Sequence, residues 1–576
     1  MKLGVSTGRW LSWGSTLLWV AVVLLWLMDA FGHGLPAVLD RIVVVAALGL
    51  TAIWGFGRLR RSLEGKRGRV LAAALLLPSL LALALVVRFV GLSHEVEGRY
   101  YLDEGTYYSH ASAINAGTPF RLSFVYPHLM YYLDALALWL ASLFPGAAAR
   151  LAGTVGVTEP LALSWLLLRG VVGLLSALTV IPVFSIGERI AGRWAGTAGS
   201  LLLIFSPLFN DGSHLNICDV PSAVFATFCL LFVARLVGEE HTRDYVLAGV
   251  CAGLAAGAKY PAGLVAVAII AAWLRWRIAR RDFSLGLLWA GLAAMATFVA
   301  VMPSLVVFPV PAFQGPRGVF FGARQYGKGG WLGVMPGNNA LFYAKTLAGS
   351  FGLPAAIAGL SGLVLNLFTN RGERARWLWL LPFPLAYLAL IGSMNMVVKR
   401  NLYPAVPMLA VLLGVGIAAW IGRMGEGSAW RPAVATALLL ACVALPARAT
   451  VLQDVGLASP STRDVAGAWI RANVPRGSSI LKETYTPDLN SREYKVWHRR
   501  FVTRSTMAEI RDFDYVLVAS GAYGRFLNPA TQKRPHQKKM AERYKQIFRS
   551  FELVREWTPS RTRRGPVIRL YRPSPK

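Results

Sequence analysis

Long apolar runs alternate with short polar interruptions over the first three quarters of the chain, and then the pattern changes. Most of the runs approach or reach about 17–25 residues, the length that crosses a bilayer as a helix. The first three lie at 11–28, 41–56 and 70–89. The first has no small-residue cleavage site and a second follows soon after, which predicts a retained helix and not a signal peptide. Further runs at 171–187, 195–209, 219–237, 245–258, 261–274, 283–308, 341–367, 377–391, 402–421 and 431–447 bring the expected total to about thirteen spans. From about 450 the apolar runs shorten and charge rises. Segments 516–518, 551–554 and 567–571 read as strands, and 461–472 as a helix capped by Ser461 or Thr462. The expected fold class is a polytopic α-helical membrane protein with a small C-terminal extracytoplasmic α/β domain. Residues 1–69 hold two additional N-terminal spans, 70–449 a membrane module with an outer loop at 94–145, and 450–576 the α/β domain. No internal repeat at a solenoid period is present.

Composition agrees. The 576 residues are 55% hydrophobic and 15% charged, with mean hydropathy +0.48, which excludes an ordinary soluble domain. On a soluble protein the net charge of +31 would suggest nucleic acid. No nucleic-acid module accompanies it, so no nucleic-acid partner is expected. Loops held in the cytoplasm and a basic tail facing anionic headgroups explain the charge better. The four cysteines, Cys218, Cys229, Cys251 and Cys442, lie in or beside apolar segments without zinc spacing, and read as small packing residues.

Charge also sets topology. Lys2 and Arg9 precede the first span, and Arg58, Arg60, Arg61, Lys66, Arg67 and Arg69 follow the second, so both ends are expected inside. The third span then exits outside and delivers Asp103-Glu104 to the outer face. The next run, 128–144, holds Asp134 and starts at Tyr126-Pro127. If it spanned, the basic loops around Arg189/Arg193, Arg275/Arg277/Arg280/Arg281 and Arg371/Arg374/Arg376 would fall outside. The charge rule therefore predicts an interfacial helix, with Tyr131, Tyr132 and Trp139 at headgroup depth. The N-terminus is expected inside and the C-terminus outside.

Four polar features then share the outer side. They are Asp103-Glu104, with Tyr107 and Tyr108 just beyond; Asn210-Asp211-Gly212-Ser213-His214 with Asp219-Val220-Pro221; Lys259 between two short apolar helices; and Lys399-Arg400-Asn401-Leu402-Tyr403-Pro404. Each has a plain alternative. Asp219 before Val220-Pro221 is a good helix cap. His214 could be an ordinary interfacial histidine, Lys259 could snorkel to the headgroups, and Asp103-Glu104 could be a solvated acid pair. Lys399-Arg400 is harder to dismiss, because adjacent cations at the outer end of a span run against the positive-inside tendency. A phosphate partner would account for them. Arg317, Arg324 and Lys328 lie in a glycine- and aromatic-rich outer loop, 314–331, that could cover a site. A carboxylate beside cations at the outer face suits transfer of a group from a lipid phosphate. The carboxylate takes a proton from the acceptor and the cations hold the departing phosphate. No Walker loop or Rossmann fingerprint is present in context.

The ordered set resembles a known superfamily. It runs from Asp103-Glu104 through Tyr126-Pro127-His128-Leu129-Met130-Tyr131-Tyr132-Leu133, Ser206-Pro207, Ser213-His214, Asp219-Val220-Pro221 and Gly253-Leu254-Ala255-Ala256-Gly257-Ala258-Lys259-Tyr260 to Arg400-Asn401-Leu402-Tyr403-Pro404 and Pro407. The chain from Val70 to Met424 is similar to the GT-C glycosyltransferases, in the group containing protein O-mannosyltransferases and the lipid A aminoarabinose transferase. The tail, with Ala468-Trp469-Ile470 and Val474-Pro475-Arg476-Gly477, resembles the soluble tail of bacterial members. The resemblance implies an inverting transfer from a polyprenyl-phosphate-linked sugar to an outer acceptor, whether protein, lipid or envelope glycan, in the plasma membrane. By position Asp103 becomes the general base with Glu104 beside it. Lys399 and Arg400 become the phosphate ligands, and Tyr107, His128, His214, Asp219, Lys259, Arg324 and Tyr403 line the cavity. A carboxylate pair can hold a divalent ion, but the resemblance implies no required cofactor or metal. The chain departs from the pattern at Pro127-His128, where many members have two prolines, and in its two additional N-terminal spans. A flippase for a lipid-linked glycan is the alternative of another class. It should show inverted repeats and ionisable residues near mid-bilayer, and neither is clear.

Overall fold

The structure is a computed structural model that describes residues 66–98, 101–118, 123–157, 159–327, 338–369, 376–424, 430–529, 532, 535–560 and 562–573. The expected spans at 11–28 and 41–56, and Lys328, lie outside these residues.

Among the described residues five helices are long and apolar enough to cross a membrane, or up to seven if each of two bent pairs is one span. Three shorter apolar helices, Leu75–Phe89, Gly286–Ala300 and Trp377–Ser393, accompany them. Two of the about thirteen expected spans lie outside the described residues, three appear as these shorter helices, and local breaks account for part of the remaining difference. The run at 341–367 bends by 102° where Gly352, at φ 79°, separates Asn339–Phe351 from a helix that resumes before Pro354. The run at 195–209 is the helix Arg193–Ile204, after which Ser206 caps a new short helix, Pro207–Ser213. Elsewhere the sequence underestimates length. The span expected at 171–187 lies within a continuous stretch Pro160–Ala191, and the last, Arg431–Leu457, runs past 447.

The run at 128–144 forms the helix Leu129–Leu143, which turns by 100° into a second at Pro145. One face exposes Leu136, Trp139, Leu140 and Leu143, while Asp134 is fully buried and accepts a 2.8 Å hydrogen bond from Asn216 Nδ2. The carboxylate that made this run ambiguous thus points into the bundle.

Helices pack through small residues. Thr242–Ala258 lies between Asp219–Gly238 and Gly286–Ala300. A side-chain carbon at Gly253 would strike the Ala294 carbonyl, so the backbones approach as only glycine permits. Basic turns gather at one end of the bundle. There Arg277 pairs with Glu240 at 2.5 Å, Arg235 pairs with Asp244 at 3.2 Å, and Arg189 approaches Gly238.

The C-terminal residues form a five-stranded sheet: β1 Ser479–Glu483, β2 Lys495–Arg499, β3 Tyr515–Ala519, β4 Glu552–Trp557 and β5 Ile568–Arg572. The order is β2-β1-β3-β5-β4, with β1 parallel to both β2 and β3, and β5 antiparallel to both neighbours. Thr462–Asn473 covers one face through Ala466 and Ile470, and Pro535–Ser550 the other through Ala541, Tyr544 and Ile547. Burial on both faces is why β3 reads as an unbroken apolar run. The helix at 461–472 begins as expected, with a capping box between Ser461 and Asp464.

Two ion pairs seat this sheet on the membrane-spanning part. Arg463 Nη1 meets Glu95 Oε2 at 2.6 Å, and Arg564 pairs with Asp211. The sheet therefore sits at the same end of the bundle as Asp103, opposite the basic turns.

Candidate active site

Tyr101 is extended and Leu102–Asn115 starts immediately after it, which places Asp103 and Glu104 in the first turn. Acids are favoured there by the helix dipole. Successive helical side chains diverge by about 100°, and the two carboxylates part accordingly.

Asp103 turns outward and is roughly half exposed. Its Oδ2 lies 2.6 Å from Arg400 Nη1. Glu104 turns inward and is buried. The Arg169 guanidinium grips it in a two-pronged bond, Nε and Nη2 each 2.7 Å from a carboxylate oxygen, and the Asn216 amide N–H adds a third at 2.8 Å. Arg169 Nη1 donates to the carbonyls of Leu92 and His94. The expectation of two acids side by side is thus corrected: Glu104 ties helices together, and of the two Asp103 alone is exposed.

Arg400 sits in the 3-10 turn Lys399–Ala405. The Asn401 side chain pins that turn, donating to the Met396 carbonyl at 2.9 Å and to Tyr343 Oη at 3.1 Å. Asp219 and Lys259 form a buried ion pair at 2.5 Å, and Arg400 is within electrostatic reach of Asp219, Tyr126 and Tyr326. Charges of alternating sign therefore run Lys259, Asp219, Arg400, Asp103. Tyr126 and Tyr326 hydroxyls meet at 3.5 Å beside them, and buried Tyr107 backs Tyr126 with ring centroids 6.0 Å apart.

The other expected residues lie elsewhere. Lys399 is exposed, and among the described residues no ion pair joins it to Asp103 or Asp219. Arg324 is exposed on the helix Val319–Gly327, which supplies Tyr326 instead; the Tyr326 carbonyl accepts the Met396 N–H at 3.1 Å. His128 is fully buried, with Nδ1 3.2 Å from Ser304 Oγ and Nε2 3.1 Å from the Ser123 carbonyl. His214 is buried between the carbonyls of Asn210 and Val90, at 2.9 and 2.8 Å, and burial pushes its pKa down to about 4. Tyr403 is buried against Phe209 and covers Gly212, where any side-chain carbon would strike its ring. These three hold the neighbouring loops in place.

Sequence reasoning passed over Arg169, Tyr126 as a site residue, Tyr326 and Arg88. Buried Arg88 donates to Ser176 Oγ, Asn210 Oδ1 and the carbonyls of Leu203 and Ile204. A signal existed for both arginines, since each is an ionisable residue within an apolar run. Among the described residues no group of three or more His, Cys, Asp or Glu is placed to hold a metal ion.

Residues 162–306 match the family described as dolichyl-phosphate-mannose-protein mannosyltransferase. No protein of curated function matches the chain by sequence. Among solved structures, ArnT from Cupriavidus metallidurans bound to undecaprenyl phosphate is similar at 15% identity and TM-score 0.48, covering 85% of this chain and 97% of ArnT. The archaeal oligosaccharyltransferase AglB from Archaeoglobus fulgidus, in complex with an inhibitory peptide and a dolichol-phosphate, is similar at 14% identity and TM-score 0.45, covering 78% of this chain and 70% of AglB. The family match falls on the segment that carries Asp219 and Lys259, and over that segment the chain is similar to this mannosyltransferase family.

Proposed function

We propose that the chain transfers a sugar from a polyprenyl-phosphate donor to an acceptor on the outer face of the plasma membrane, with inversion and with Asp103 as general base. The observation that carries this reading is the Asp103–Arg400 pair, half open to solvent beside the buried Asp219–Lys259 pair. Asp103 takes the proton of the acceptor hydroxyl as its oxygen attacks the anomeric carbon from the face opposite the phosphate. The bond to the phosphate oxygen breaks, its electrons stay with the phosphate, and Arg400 stabilises the growing charge.

Arg400 occupies an oxygen of Asp103 before the donor arrives, so the donor has a second task. Its phosphate competes for Arg400, and the Asp103 oxygen is released to meet the acceptor hydroxyl as the guanidinium turns to the phosphate. Asp219, paired with Lys259, keeps Arg400 oriented. In this reading the cations supply the charge stabilisation, and no metal or cofactor is required. The basic turns at the opposite end of the bundle favour an orientation with Asp103 and the sheet outside.

The test is label transfer from a radiolabelled polyprenyl-phosphate sugar pool, comparing membranes with wild-type chain and Asp103→Asn at equal expression. Transfer by the wild type alone supports the reading and identifies the acceptor fraction. Equal transfer by both removes Asp103 as the base. Redistribution of labelled lipid across the membrane without transfer favours a flippase.

A further inference from the structure

A cleft of about 660 Å³ lies away from Asp103, where the sheet meets the membrane-spanning part. Glu97, Gly98 and Glu159 form one wall. Arg463, Gly467 and Arg471, four residues apart on one face of Thr462–Asn473, form the floor with Asp464. The loop 487–491 closes the third side and leaves from the carboxyl end of β1. Parallel neighbours flank β1 on both sides, so the chain departs there first toward β2 and later toward β3. Open α/β sheets hold ligands at such positions, and clefts between structural units hold them generally.

We infer that this cleft binds a neutral glycan, the part of the acceptor remote from its reacting hydroxyl. The inference rests on the transferase reading for the word acceptor, but not for the glycan. The lining supplies carboxylates from Glu97, Glu159 and Asp488, guanidiniums from Arg463 and Arg471, and the Asn490 carboxamide. Acceptors and donors so interleaved match sugar hydroxyls, each of which both donates and accepts. Other ligands fit worse. Lipid tails and hydrophobic peptide anchors need apolar surface, and Pro487 and Leu489 provide little. Anions meet more carboxylates than guanidiniums here, in a chain whose 60 basic residues outnumber 29 acidic ones. A lysine-rich peptide would satisfy the carboxylates, but its side chains offer no acceptor to the two guanidiniums, so it is the competitor the experiment includes.

Position supports the acceptor role. Gly98 precedes Asp103 by five residues, so the wall of the cleft lies at most about 18 Å from the base. A glycan seated in the cleft can reach Asp103 with one end. Arg463 links the two places, since it lines the floor while pairing with Glu95 and donating to the Tyr485 carbonyl.

The experiment uses the full chain in detergent. Saturation-transfer NMR measures binding of short neutral mannose and arabinose oligosaccharides, with a lysine-rich peptide and phosphatidylglycerol vesicles as competing probes. Ser491→Trp, on an exposed loop position, fills the cleft, and Arg471→Ala removes a donor from its floor. Both should weaken oligosaccharide binding by about tenfold, the effect of one or two lost hydrogen bonds. Both should also raise the acceptor KM by more than they lower kcat. Unchanged binding in both variants overturns the inference, as does peptide or vesicle binding that Ser491→Trp abolishes while oligosaccharides do not bind. The two readings fail separately. Asp103-dependent transfer with no effect of either variant removes the cleft alone. Oligosaccharide binding lost in Ser491→Trp, with no transfer by the wild type, keeps the glycan site and removes the transferase reading.

Discussion

Asp103 and Arg400 stand 297 positions apart in the chain, yet their partly exposed side chains meet at 2.6 Å. An exposed pair of this kind adds little stability. Its chemistry is therefore separable from folding. Asp103→Asn is expected to lower transfer by roughly 10²–10⁴-fold, the contribution typical of a positioned base. The thermal midpoint should stay near that of the wild type. A large fall in midpoint alongside the loss would assign Asp103 to the fold instead.

Arg400 should act on the donor. Arg400→Ala removes a charged hydrogen-bonding partner of the phosphate, and the donor KM is expected to rise by about 10–100-fold. Arg400→Lys keeps the charge but loses the planar fork, so it should fall between the two. Steady-state kinetics with donor varied at fixed acceptor checks both. An acceptor KM that moves while the donor KM does not would place the phosphate elsewhere.

How far the sequence foretold this arrangement depends on which residue is asked about. Asp103, Arg400, Asp219 and Lys259 were legible because each is a charge at the edge of an apolar run, where a charge needs a reason. The partition of Asp103 from Glu104 was not, since it depends on where Arg169 lies and that is set by helix packing. His214, His128 and Tyr403 misled for a related reason: polar side chains near a site often serve carbonyls and loops. In the sheet, β3 was legible from its apolar run. β1 was not, because Lys482 and Glu483 interrupt it. Glu483 is tolerated there because the N–H groups of Val502 and Ala519 and the Tyr544 hydroxyl all donate to it. Strand β2, Lys495–Arg499, is a charged and exposed edge, as edges that avoid further pairing tend to be.

Glu104 should behave oppositely to its neighbour. Glu104→Gln leaves the Arg169 guanidinium buried without a counter-charge, a loss of about 3–5 kcal/mol in comparable buried pairs. The thermal midpoint should fall, and transfer per folded molecule should survive. Replacing both members, Glu104→Gln with Arg169→Met, should recover much of the stability, because no unpaired charge remains. A Glu104→Gln chain that unfolds like the wild type but transfers no sugar would make Glu104 a reacting group.

The seat of the sheet should depend on pH through Glu95. Burial alone would raise this carboxyl, but the hydrogen bond with His94 and the Arg463 guanidinium prevail and hold it down, from 4.5 to about 2. A carboxyl depressed on folding contributes stability that is present above its unfolded pKa and is lost as pH falls through the folded one. Here that window runs from about 4.5 down to about 2. The shift corresponds to about 3 kcal/mol at neutral pH. Hydrogen exchange at 90–98 and along Thr462–Asn473 should therefore quicken as the wild type is acidified through this window. Glu95→Gln should show the quickened exchange already at neutral pH and little further change on acidification. Acid-induced loosening of equal size in both proteins would assign the pH dependence to another carboxylate, and Asp211, which Arg564 holds below its usual range against the cost of burial, would be the next to replace.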